Sequence, residues 1–310
     1  MKEWFDIGAA AAARVFNTAD LYVCPLCIRG FDQSALTRPA SREDRRGFLT
    51  REHVPPECFG GRNLVLTCAD CNHTAGFKID GELAKFARFQ DFFRQVPGQR
   101  MNGRIKIGGT EANVLYEWKS DTDGEKRLEI TDYRKLNHPR VEPAVNQALE
   151  TMATDTQGFE LEMRSYKIGY PEISLLRAAY LAAFAKLGYR FVCRPVFDIV
   201  RKQIIEPDTQ SLGNFYFNAE RLDPEKPLIG FVLSPEWACA LMVQLGPHRI
   251  LLPVWDDDDV YTRMTDAASR NASAHVTARI VLWPQGPEHL FDFWPNRTMR
   301  ELKDIFSILT

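Results

Sequence analysis

No apolar run in these 310 residues is long enough to span a bilayer as a helix. The longest, around 228–233 and 238–245, are interrupted by Ser234, Pro235, Glu236 and Gln244. They fall short of the roughly 20 residues that a helical span requires. There is no excess of charge either: 39 Lys and Arg face 41 Asp and Glu, a formal charge of -2. That argues against histone-like binding of nucleic acid through bulk charge, so a polyanionic partner has to be gripped by a local face. Glycine-rich phosphate loops, nucleophile elbows and internal repeats are absent as well. Seven cysteines are few for a disulfide scaffold, and their odd number leaves one over. The first residues carry Glu3 and Asp6 and do not read as a secretory signal, so a cytoplasmic protein is expected.

What is present is an ordinary globular composition, 45% hydrophobic and 26% charged, over a length that suits two domains. Residues 4–17 read as an alanine-rich helix and 21–23 as a short strand. The stretch 34–47, with Arg38, Arg42, Arg45 and Arg46, reads as a polar loop. Strands are expected at 48–54 and 64–66 around a Gly60-Gly61 turn, then helix from Asn72 through Phe93. Pro97 and Gly98 mark a break, which places the expected domain boundary between 1–97 and 98–310.

Beyond the break, strands are expected at 104–107, 112–118, 127–130, 228–233, 238–244, 250–254 and 276–282. Helices are expected at 142–153, 173–187 and 298–309, the second with a core stripe of Leu176, Ala179, Tyr180, Ala183, Phe184 and Leu187. The fold class expected is α+β: a small stapled finger followed by a larger mixed α+β domain.

The chemistry concentrates near the start. Cys24-x-x-Cys27 and Cys68-x-x-Cys71 form two pairs, each able to put both sulfurs on one tight turn and together able to bind one tetrahedral cation. Four thiolates favour structural Zn2+, because a closed four-sulfur site leaves no position for water or substrate. Paired redox disulfides are the alternative. Between the pairs lie Glu52-His53-Val54-Pro55-Pro56 and Gly60-Gly61-Arg62-Asn63-Leu64-Val65-Leu66-Thr67. Cys68-Ala69-Asp70-Cys71-Asn72-His73-Thr74-Ala75-Gly76 follows.

Over 24–76, less than a quarter of the chain, these residues resemble the HNH endonuclease family, in the version with four zinc-binding cysteines. The resemblance implies a ββα finger that hydrolyses phosphodiester bonds of DNA, with RNA left open. It makes His53 the general base toward water, suited by an ordinary imidazole pKa of about 6.5. It makes Glu52 and Asn72 the oxygen ligands of a catalytic Mg2+ or Mn2+, and Asn63 a supporting residue that orients the histidine. Two positions depart from the family pattern: Glu stands at 52 where Asp is frequent, and Ala stands at 75 where the family often has a Lys nearby. Arg62, Lys78 or the arginines at 42, 45 and 46 are candidates for the missing phosphate contact.

A single finger implies nicking of one strand. By resemblance a bacterial anti-phage defence role is expected, with a homodimer or partner proteins as the assemblies left open. The alternatives are a zinc finger that binds nucleic acid without cutting it, and an effector of a ligand-sensing or partner-sensing C-terminal domain. His73 reads either as an additional ligand or as an exposed helix-start residue, and Cys58 as an ordinary cysteine. The run Asp256 to Asp259 reads as a solvated loop.

Overall fold

The computed structural model describes residues 1–37, 47–107, 109–132, 137–152, 160–163, 165–209, 212–218, 228–235, 239–256, 259–270 and 279–282. The arginines at 38, 42, 45 and 46, the side chain of Cys58, His275, His289, Asp257, Asp258 and the expected helix at 298–309 lie outside the described residues. Helices and antiparallel strands are mixed in separate small sheets, as the α+β expectation has it. No described helix is long and apolar enough to cross a membrane.

The chain divides into two compact units, 1–81 together with 169–310, and 82–168. This differs from the expected division at 97/98. The cause lies in the helical run 69–93. Helix α2 (Ala69–Ala75), a π-turn (Gly76–Asp80) and helix α3 (Gly81–Phe93) follow one another without a loop, so the boundary carries no Pro or Gly-rich linker.

In the first unit, α1 (Lys2–Phe16) buries Phe5, Gly8, Ala9 and Ala12, a spacing of three to four that makes one face of a helix. Gly8 is there for contact, since a Cβ would come within 2.3 Å of the Tyr22 ring. Strands β1 (Tyr22–Val23) and β2 (Gly30–Phe31) pair antiparallel, and β3 (Leu49–Val54) pairs with β4 (Arg62–Cys68) to form the hairpin that leads into α2.

The second unit is an antiparallel sheet in the order β7 (Lys126–Asp132), β6 (Thr110–Ser120), β5 (Arg100–Ile107), β8 (Glu160–Met163), with helix α4 (Val141–Met152) packed on β5 and β6. Strand β5 alternates cleanly: Met101, Gly103, Ile105 and Ile107 face the core, and Arg100, Asn102, Arg104 and Lys106 face out. The core beneath is Phe92, Met101, Ile105, Ala112, Val114 and Tyr116.

Back in the first unit, helix α5 (Tyr170–Leu187) is buried at 15 of its 18 positions, more than the single stripe expected. A helix that is apolar all round is a core helix with neighbours on every side. Here the neighbours are β3 and β4 and two strands of the C-terminal sheet. That sheet runs β13 (Arg279–Leu282), β10 (Leu228–Ser234), β11 (Ala240–Leu245), β12 (His248–Leu252), β9 (Tyr216–Asn218), all antiparallel. Helices α6 (Tyr189–Val192), α7 (Asp198–Ile205) and α8 (Val260–Arg270) were not expected from the periodicity. Asp259, the last of the acidic run, opens α8: its carbonyl accepts from the backbone N–H groups of Thr262 and Arg263, and its carboxylate pairs with Arg263.

Candidate functional site

Cys24 and Cys27 sit in the turn between β1 and β2. The backbone closes that turn through Cys24 N to Arg29 O and Ile28 N to Cys24 O, both 2.9 Å, with Ile28 in the left-handed region at φ 59. Cys68 ends β4 and Cys71 lies in the first turn of α2, so the hairpin delivers the second pair beside the first. All four sulfurs lie within 4.8 Å of one another, and Cys27 Sγ and Cys68 Sγ are 3.7 Å apart. A tetrahedron with zinc–sulfur bonds of about 2.3 Å has sulfur–sulfur edges of about 3.8 Å, so the quartet has the dimensions of a zinc site. None of the four is in a disulfide.

Arg29 caps the quartet. Its Nε donates to Cys27 Sγ and its Nη2 to Cys68 Sγ, each at 3.4 Å, and Nη2 also reaches Asp70 Oδ2 at 2.8 Å. A guanidinium here offsets the charge of four thiolates around one dication. Hydrogen bonding with Cys24 brings the Cys68 thiol down to about 7, while burial pushes Cys24 up.

Strands β3 and β4 carry the rest of the motif. Their register runs Leu49 with Cys68 to Glu52 with Val65, then shifts at a bulge between Glu52 and His53, so that His53 stands opposite Asn63. His53 is half-buried and Asn63 exposed. Gly61 passes so close to the Pro55 backbone that a Cβ would fall 1.5 Å from its carbonyl oxygen. Asn72 of α2 ties the helix to β3: its Nδ2 donates to Thr50 Oγ1 at 2.9 Å and to the Arg51 carbonyl at 3.2 Å. The amide oxygen Oδ1 is not used in those two bonds. His73 and Lys78 are exposed along the same helical run, and the Arg51 guanidinium lies 5.9 Å from the centre of the Trp4 ring.

Glu52 is placed differently from the other motif residues. It is 4% exposed, on the inner face of β3. Its Oε2 accepts from Thr67 Oγ1 at 3.0 Å and forms an ion pair with Arg177 Nη2 at 2.6 Å. Arg177, 1% exposed in the middle of α5, also donates from Nη1 to Asp80 Oδ2 at 3.0 Å, and Ser174 Oγ donates to Asp80 Oδ1 at 2.6 Å. Burial pushes the Glu52 carboxyl above the usual range, against the opposing pull of Arg177 and Thr67.

These placements bear differently on the two ions. The cysteine quartet fits Zn2+ in donor chemistry and in spacing. Among the described residues it is also the one group of three or more Cys, His, Asp or Glu gathered closely enough to hold a metal. A Mg2+ or Mn2+ ion on Glu52 does not fit, because a buried guanidinium already occupies that carboxylate and would repel a second cation. Asp256, from the acidic run, pairs with Arg194 at 3.3 Å and joins no such group.

Arg29, Asp80 and Arg177 are the site residues that motif reading missed. One signal was available for Arg177: an arginine inside the apolar run Leu175 to Leu181 has no place on a core helix unless a buried acid meets it. No family model, curated protein or solved structure matches this chain.

Proposed function

We propose that the hairpin β3–β4 with α2 is a nuclease finger of HNH type, stapled by zinc and hydrolysing phosphodiester bonds of DNA. The observation that carries this reading is the convergence of three features in one supersecondary unit. His53 stands opposite Asn63, Asn72 is tied to the strand that bears His53, and a four-sulfur site closes the base of the hairpin.

In the mechanism, His53 takes a proton from water as the water oxygen attacks phosphorus, and the bond to the 3′ oxygen breaks in line. Asn63 lies across the register from His53 and orients it. Asn72 holds α2 against β3, and its amide oxygen is the donor left over for a divalent ion. Mg2+ or Mn2+, when bound, supplies charge neutralisation at the phosphate. The exposed side chains of Arg62, His73 and Lys78 are the groups available to phosphate oxygens. One finger has one cutting centre, so the product from duplex DNA is a nick. Action on phage DNA in a defence system, with a second copy or a partner protein supplying target choice, is the setting this reading fits.

The pairing of Glu52 with Arg177 favours a second reading, a finger that grips nucleic acid without cutting it. End-labelled duplex and single-stranded oligonucleotides incubated with Mg2+ or Mn2+ separate the two. Products ending in 5′ phosphate and 3′ hydroxyl support the nuclease, whereas retention of intact label in a stable complex supports the binding finger.

A further inference from the structure

Glu52 and His53 are adjacent in β3, and neighbouring strand residues point to opposite faces. Whatever fixes one of them on the inner face therefore fixes the other on the outer. The bulge opposite them places its extra residue, Leu64, on β4, so β3 keeps its alternation through Glu52 and His53 while the ladder shifts there, and a slip of one residue in β3 would exchange the two faces. Glu52 is held inward by charge and by shape. Arg177 meets its Oε2, Thr67 meets the same oxygen, and Asp80 with Ser174 holds the far side of the guanidinium. Arg177 projects from a helix packed on both β3 and the C-terminal sheet, so its guanidinium has no solvent route out. An apolar contact would tolerate His53 in the same place. A guanidinium set between two carboxylates does not, because a buried charge left unpaired is costly.

We propose that Arg177 is a positioning residue for His53: its guanidinium holds Glu52 on the inner face of β3 and thereby sets His53 on the outer face, so that Glu52 is an anchor and not a ligand of a divalent ion. The importance of His53 rests on the nuclease reading; the anchor role of Glu52 does not. The first unit is thus completed from α5, more than a hundred residues after the motif in the chain. A fragment ending after the motif would lack the residue that sets its histidine.

The test uses the full chain loaded with zinc. Side-chain 15N NMR spectra of the histidines, with His53 assigned through His53→Gln, are compared for wild type, Arg177→Lys and Glu52→Gln. Lysine keeps the charge and loses the two-pronged geometry, and glutamine keeps the shape and loses the charge. The expected result is that His53 signals move in both variants while those of exposed His73 stay, with zinc content and far-UV circular dichroism unchanged. If one variant fails to fold, the other carries the same measurement. Unmoved His53 signals overturn the proposal.

Mn2+ binding followed by electron paramagnetic resonance tests the anchor role without any need for cleavage. Affinity in Glu52→Gln within about twofold of wild type is expected, and a loss of tenfold or more overturns the proposal. Wild-type protein that binds no Mn2+ supports the anchor and counts against the metal-dependent nuclease instead.

Discussion

The hydroxyl of Tyr180, on α5, donates at 2.7 Å to the carbonyl of Pro25, inside the turn that carries Cys24 and Cys27. The two residues are 155 positions apart, and the bond is buried. Tyr189 does the same to the Val23 carbonyl at 2.5 Å. The turn that carries Cys24 and Cys27 is therefore a surface feature on one side only; on the other it is seated on the helices that follow residue 169. Tyr180→Phe removes one buried donor and should lower stability by about 1 kcal/mol. Urea unfolding measures this, and a midpoint unchanged from wild type would show that Pro25 finds another partner.

Arg29 is expected to tune zinc retention without being a ligand. Arg29→Ala removes two hydrogen bonds to thiolates and one ion pair. Loss of such an outer contact weakens metal binding by about 10- to 100-fold. Competition with a chromophoric chelator should show that loss, while at saturating zinc the circular dichroism spectrum stays that of wild type. Equal chelator resistance in the two proteins would mean that Arg29 is a bystander.

Glu52 contributes a pH dependence whose sign follows from its burial. The folded protein holds the Glu52 proton more tightly than the unfolded chain does, because burial raises the carboxyl. The stability this provides is complete below the ordinary glutamate value of about 4.3 and is lost as pH rises through the raised folded value. Glu52→Gln removes the titration, so the difference in stability between wild type and variant should shrink or reverse across that window. Parallel stability curves from pH 4 upward would mean that Arg177 and Thr67 fully offset the effect of burial on the carboxyl.

The second unit has its own sensitive point at Gly103. A Cβ there would lie 2.2 Å from the Glu162 carbonyl and 2.4 Å from the Tyr116 ring, so β5 cannot keep its place between β6 and β8 with a larger residue. Gly103→Ala should cost about 1 to 3 kcal/mol, the range for overpacking a filled core. Because Gly103 belongs to 82–168, zinc content should stay at the wild-type level. Zinc loss in this variant would contradict a strain confined to the sheet of 82–168.

Local features were legible in the sequence and distant pairings were not. The Cys-x-x-Cys spacing, the strand at 49–54 and the second half of β5 each announce themselves within a dozen residues, where turn geometry and alternation act. The division after Gly81 was not legible because Asp80 and Gly81 sit inside continuous helix, and Pro97 is the first visible break. Helix α8 was hidden by its own start, since four consecutive acids read as a solvated loop until Asp259 is seen beginning a helix. Glu52 was assigned a ligand role on motif position alone. Its true neighbour, Arg177, is supplied by a helix far along the chain, and no local pattern links the two.

The most direct test of the nuclease finger is cleavage of supercoiled plasmid by the zinc-loaded full chain, in Mg2+ and in Mn2+, beside His53→Ala and an EDTA control. The expected result is conversion to the nicked circle by wild type, lost with EDTA and reduced at least about 100-fold in His53→Ala, the low end of what a general base contributes. Nicking by His53→Ala at the wild-type rate would contradict the assignment of His53 as the base and, with it, the reading of this hairpin as the cutting centre.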